Sequence, residues 1–215
     1  DIGKINDRKQ NIFDYYQTYK SISFSDFKQR YNQLEKIKKN IEKETLSDKV
    51  YFGIIYAEYD IFNPDLNMDE VLKKTKKGTF KLRKKNKEVF NTEELFVTAA
   101  LKQIQRGTSV NFEISKESFI NTSDKKIEKI EIDFGDGFGY RKINIGETIA
   151  VNYNIPGSKD IFTKLNFEAN STIVSQSSLE VVYSNDEYSQ INNQEIIGFT
   201  SGTTEPPYIQ PYNEY

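Results

Sequence analysis

Residues 130–139 read IEIDFGDGFG, two aspartates set among glycines directly after an alternating apolar run. Ile130, Ile132 and Phe134 recur with period two, the spacing that places them on one face of a β-strand. Asp133 and Asp136 then sit beside Gly135, Gly137 and Gly139. A phosphate-binding loop would need a glycine-rich turn that opens a helix, whereas the residues after Gly139 alternate again as a strand does. A calcium loop would need more oxygen ligands than Asp133 and Asp136 supply, and no EF-hand spacing follows. Only with Asp124 or a backbone carbonyl added would the pair make a weak calcium site. The preferred reading is a tight corner between strands, with no cofactor. Asp-Gly suits a turn of positive φ, and short carboxylates accept hydrogen bonds from nearby backbone N–H groups.

The same alternation extends on both sides of the corner. SVNFEI places Val110, Phe112 and Ile114 on one face, and ETIAVNY, DIFTKLNF and TIVSQSSLEVVY continue the series with turn residues between them. Short strands at near-regular spacing with no helix between them predict an antiparallel β-sandwich over residues 95–184.

Upstream, residues 1–94 are expected to form a separate α+β domain. FSDFKQRYNQLEKIKKNI spaces Phe24, Phe27, Tyr31, Leu34, Ile37 and Ile41 by three or four, one helix face, with Ser23 or Ser25 as N-cap and Asp26 suiting the dipole. Asn11–Tyr19 is a shorter helix candidate. A strand is expected over Val50–Tyr59 and a helical turn over 68–74. A basic stretch follows, with nine Lys or Arg between Lys73 and Lys87. It reads as a solvated hairpin whose strands are TFKL and EVF, with an anion or polysaccharide contact as the functional alternative. Beyond residue 184 the chain turns polar, carries Pro206, Pro207 and Pro211, and has no Lys or Arg. Residues 185–215 are therefore expected to be an extended arm or linker, with one strand at EIIGF.

The corner and its surroundings resemble PKD domains. The matching positions are Asp133, Phe134, Gly135, Asp136 and Gly137, followed at the family's distance by Tyr153, Pro156 and Gly157. The likeness covers about residues 95–184. Two positions depart from it: Glu131, where the family often carries a tryptophan, and Lys159, where an aromatic often follows the Pro-Gly. The resemblance implies an immunoglobulin-like sandwich, a non-catalytic spacer or binding module of secreted or cell-surface bacterial proteins. Its implied partners are neighbouring domains of the same polypeptide, a polysaccharide or another surface protein. A continuation past Tyr215 is expected on the same ground.

Composition narrows the chemistry. The 215 residues contain no His and no Cys, so neither a Ser-His-Asp triad nor a His/Cys zinc site can be built. A formal net charge of −2 argues against a dedicated nucleic-acid binder. The longest apolar runs, FGIIYA (52–57) and LFVTAAL (95–101), are too short to span a bilayer. An enzyme would have to use carboxylates such as Glu58 and Asp60, which share a strand face. A carbohydrate-binding module would stack sugars on exposed tyrosines, with Tyr208, Tyr212 and Tyr215 or Tyr51, Tyr56 and Tyr59 as candidates. A further alternative is an accessory region of a downstream hydrolase. The architectural, non-catalytic reading needs the fewest special assumptions.

Overall fold

Strand β1 (Lys49–Phe62) reads KVYFGIIYAEYDIF, and its two faces serve two different cores. Val50, Phe52, Ile54 and Tyr56 point to one of them, Ile55 and Ala57 to the other. A strand buried on both faces loses the polar half of the alternation, which is why FGIIYA reads as an unbroken apolar run. Each large side chain of this kind contributes roughly 1.5–3 kcal/mol by leaving water. The structure, a computed structural model, describes residues 8–24, 39, 49–83 and 89–187.

Beside β1 runs β4 (Phe90–Ala100), antiparallel over eleven register pairs from Phe52↔Ala100 to Phe62↔Phe90. On its opposite edge β1 pairs in parallel first with β6 (Ser109–Glu113) and then with β7 (Phe119–Asn121). Antiparallel to β6 lies β10 (Thr148–Asn152), completing the order β10-β6-β1-β4. The second large sheet has the order β5-β12-β11-β8-β9. Its members are Ile104–Arg106, Thr172–Val182, Gly157–Phe167, Ile127–Asp133 and Arg141–Lys142. Here β5 is parallel to β12 and the other pairs are antiparallel. The chain is mostly β, with a short N-terminal helix. The expected purely antiparallel arrangement is corrected: both large sheets are mixed, because β1 and β5 each enter beside a strand running the same way.

The two large sheets line a common core. Phe52, Tyr56 and Phe96 of the first meet Ile132, Ile161, Leu165 and Val181 of the second, with the Phe112 and Phe134 rings packed as a tilted pair at 4.6 Å between centroids. The six residues expected inside, Val110, Phe112, Ile114, Ile130, Ile132 and Phe134, are all buried. The far face of the first sheet is covered by helix α1 (Ile12–Phe24), which lies where the shorter helix at 11–19 is expected. Asn11 caps it, its Oδ1 accepting from the N–H groups of Phe13 and Asp14. Tyr15 of this helix lies against Gly53, where an added Cβ would come within 2.5 Å of the ring, and its hydroxyl donates to the Ser118 carbonyl at 3.0 Å.

One side chain ties the sheets together at their margin. Gln10, fully buried, donates from Nε2 to the Phe96 carbonyl (2.9 Å) and accepts at Oε1 from Thr98 N–H (2.7 Å). It thereby treats the outer edge of β4 as a neighbouring strand would. The same Oε1 accepts from Ser175 Oγ on β12 (2.7 Å), and Gln10 N donates to the Gln176 carbonyl (2.7 Å).

The boundary expected at 94/95 falls inside β4, whose residues line both cores. Apart from Phe24, which ends α1, and Lys39, the long helix expected over 24–41 lies outside the described residues. The basic hairpin exists with a different partner strand. β2 (Leu72–Lys74), following the four-residue helix α2 (Met68–Val71), pairs with β3 (Phe80–Leu82), while Phe90 of the EVF segment begins β4. Gly78 at φ 79° closes the turn early, so TFKL folds back on LKK. A second unit, Tyr183–Tyr215, opens with one helical turn at 185–187 where an extended arm is expected. Ser184 and Glu187 form its capping box: Ser184 N–H donates to Glu187 Oε2 and Glu187 N–H to Ser184 Oγ.

Candidate functional site

The corner that follows β8 is assembled from its own side chains. Asp133 ends the strand, and its Oδ1 accepts from Gly135 N–H at 2.9 Å. Gly135 adopts φ 71°, and a Cβ there would sit 2.4 Å from the Asp160 carbonyl oxygen on β11. Only glycine lets the two backbones approach so closely. Asp136 Oδ1 accepts from Phe138 N–H at 3.3 Å, while Oδ2 receives Arg141 Nη2 at 2.6 Å. The Asp136 side chain is buried beneath that contact. The guanidinium of Arg141 also lies over the Phe134 ring, 4.9 Å from its centroid.

A second corner locks onto the first. Tyr153, between β10 and β11, is buried and donates from its hydroxyl to the Phe134 carbonyl at 2.8 Å. Burial, reinforced by the Asp136 carboxylate, pushes that hydroxyl well above the ordinary tyrosine range, so it remains a donor at any physiological pH. Lys159 places its ammonium 5.0 Å from the Tyr153 ring centroid and donates to the Ile155 carbonyl. Pro156 is half-buried, and Gly157, at φ 113°, starts β11. Gly137 has φ 88° with open space around it. The structure thus gathers Asp133, Phe134, Gly135, Asp136 and Tyr153 into one constellation. Arg141, its cation, is the member that sequence reading missed; an arginine five residues after an aspartate is the only local signal for it.

These groups do not fit calcium. The Asp136 carboxylate already holds a guanidinium, and a cation between Asp133 and Asp136 would face that charge. Among the described residues no three acidic side chains converge.

Glu131, on β8, is held in an ion-pair ladder. Lys129 Nζ lies 2.6 Å and Lys164 Nζ 3.1 Å from its carboxylate, with Asn166 Nδ2 at 3.0 Å. Lys129 first, then Lys164 and Asn166, hold the carboxyl down from the ordinary 4.5 to about 2. A carboxylate whose folded pKa is depressed stabilises fully above the unfolded value and loses that contribution as pH falls through the folded one. The chain should therefore lose stability between pH 4.5 and about 2, and Glu131→Gln should flatten that slope while lowering the melting temperature at neutral pH. Parallel slopes for the two proteins in pH-resolved thermal melts would refute the contribution.

The carboxylates considered for catalysis are both engaged. Glu58 accepts from Ser123 Oγ at 2.6 Å and from Lys125 at 2.9 Å, and Lys125 also pairs with Glu94 directly across the ladder. The Ser123 hydrogen bond and then Lys125 lower the Glu58 pKa, while Glu94 and Glu58 raise that of Lys125. Asp60 accepts from Thr92 Oγ1 at 2.8 Å. The tyrosines of β1 make no platform: Tyr56 is buried in the inter-sheet core, whereas Tyr51 and Tyr59 pack half-buried on the helix side. Strand alternation separates them. Tyr208, Tyr212 and Tyr215 lie outside the described residues. No protein-family model matches the chain, and no curated protein matches it either.

Proposed function

We propose that the chain is a non-catalytic structural and interaction module with an immunoglobulin-like, PKD-like build, belonging to a larger secreted or cell-surface bacterial protein. The observation that carries this reading is the use of the Asp-Phe-Gly-Asp-Gly corner. Asp133 holds its own turn, Asp136 holds Arg141, and the Phe134 carbonyl holds Tyr153. A reactive site keeps such groups open to a substrate. Here they are turned onto the fold.

Strand order supports the same reading. β12, β11 and β8 are neighbours in one sheet, β6 and β10 pair in the other, and β5 runs parallel beside β12. That distribution suits the G-F-C and B-E pairings of an immunoglobulin-like sandwich. β1 and β4 then extend the B-E sheet, so a strand from the N-terminal half is part of the module.

The charge state of Glu58 argues against glycosidase chemistry. A general acid needs a pKa raised toward neutrality, whereas Glu58 is shifted down and paired. Incubated with polysaccharide, ester and peptide panels, the purified chain should show no turnover above the buffer blank. Turnover that disappears in Glu58→Gln would overturn the non-catalytic reading.

A further inference from the structure

Residues 63–83 leave the end of β1 as an excursion, and the β2–β3 hairpin within it has an unusual surface. The register Leu72↔Leu82, Lys73↔Lys81 and Lys74↔Phe80 places Leu72, Lys74, Phe80 and Leu82 on one face and two lysines opposite each other on the other. Phe80 is 62% and Leu82 40% exposed. The turn is closed by Thr75 N–H donating to the Thr79 carbonyl at 2.7 Å, and it displays Lys76 and Lys77. Arg83 anchors the base, its backbone N–H donating to Val71 (2.8 Å) and its Nε to the Leu72 carbonyl (3.1 Å). Asp65, Asp69 and Glu70 precede the hairpin, but within 72–83 every charge is positive. The six cations are exposed, and none has an ion-pair partner among the described residues.

Two of these features are unfavourable in water. Like charges directly across a ladder destabilise the pair that carries them, and an exposed phenylalanine beside an exposed leucine gains nothing from solvent. An anionic surface relieves the first. An apolar layer beneath it relieves the second. We propose that this hairpin docks peripherally on an anionic lipid surface. Phe80 and Leu82 enter the headgroup–acyl boundary, while Lys73, Lys74, Lys76, Lys77, Lys81 and Arg83 contact phosphates. Long lysine stems let the ammonium groups reach the headgroups from either hairpin face. A soluble polyanion would satisfy the cations and leave Phe80 and Leu82 in water, so the lipid surface is the better match. The proposal concerns the excursion alone and is independent of the role given to the Asp-Phe-Gly-Asp-Gly corner.

The chain contains no tryptophan, so Phe80→Trp provides a single reporter. With the full chain, vesicles of phosphatidylcholine and phosphatidylglycerol should co-sediment the protein and shift the emission of this variant to the blue. Pure phosphatidylcholine should do neither. Lys76→Gln combined with Lys77→Gln should weaken vesicle binding about thirtyfold, and added salt should weaken wild-type binding. These positions are exposed, so an unchanged melting temperature certifies that each variant is folded. Absence of co-sedimentation with anionic vesicles would overturn the proposal. So would binding to inorganic polyphosphate as tight as to vesicles with no blue shift in either case, which would identify a polyanion as the occupant.

Discussion

Gly135→Val should be the most damaging single substitution at the corner, costing at least about 3 kcal/mol and lowering the melting temperature by roughly 6–12 °C. Two effects add. A β-branched residue is strained at φ 71°, and its Cβ would lie 2.4 Å from the Asp160 carbonyl oxygen, a backbone atom that cannot rotate away. Relief requires β8 and β11 to part, and these strands carry Ile130, Ile132, Ile161 and Leu165 of the inter-sheet core. Gly137→Val is the internal control. Gly137 has φ 88° but open space, so the same residue there incurs the strain without the clash, about 1–2 kcal/mol. Equal melting temperatures for the two variants would show that the close approach of β11 does not constrain the corner.

Gln10→Ala should cost a comparable amount, about 3 kcal/mol, although Gln10 belongs to no strand of either large sheet. Removing the amide strips the Phe96 carbonyl and Thr98 N–H of their partner and Ser175 Oγ of one of its two. All three sit at a margin buried between β4 and β12, where an unsatisfied polar group costs roughly 1–3 kcal/mol. Gln10→Glu tests the chemistry rather than the volume. A carboxylate cannot donate to the Phe96 carbonyl, so it should be no better than alanine. Urea denaturation of the three proteins measures this, and a loss below about 1 kcal/mol for Gln10→Ala would contradict the role assigned to the clamp.

What could be read in the sequence follows the range of the interaction behind it. Ile130, Ile132 and Phe134 are legible because period two is a property of neighbouring residues, and their burial follows. The corner is legible because its carboxylates bond within two residues of themselves. The hairpin illustrates a subtler limit. Its existence is signalled by charge and glycine, but TFKL pairs backward with LKK rather than forward with EVF because the turn at Gly78 is the tighter closure. Parallel pairing of β1 with β6 and β7 leaves no local trace, since its partners lie far along the chain. Gly53 reads as a flaw in an apolar strand until the Tyr15 ring is placed over it. Nothing around Gln10 marks it as a bridge between β4 and β12, 165 residues away from Ser175.

The measurement that bears most directly on the structural role of the corner is a set of four melts: wild type and Asp136→Ala, each with calcium and with EDTA. Asp136 fixes Arg141 over Phe134 and supplies an acceptor to Phe138 N–H. Its truncation leaves a guanidinium without its counter-charge, at about 2 kcal/mol or roughly 4–8 °C. The two wild-type curves should coincide, and the variant should melt lower by the same interval in both buffers. EDTA alone bringing the wild type down to the variant would show that the corner is a metal site and not a structural lock.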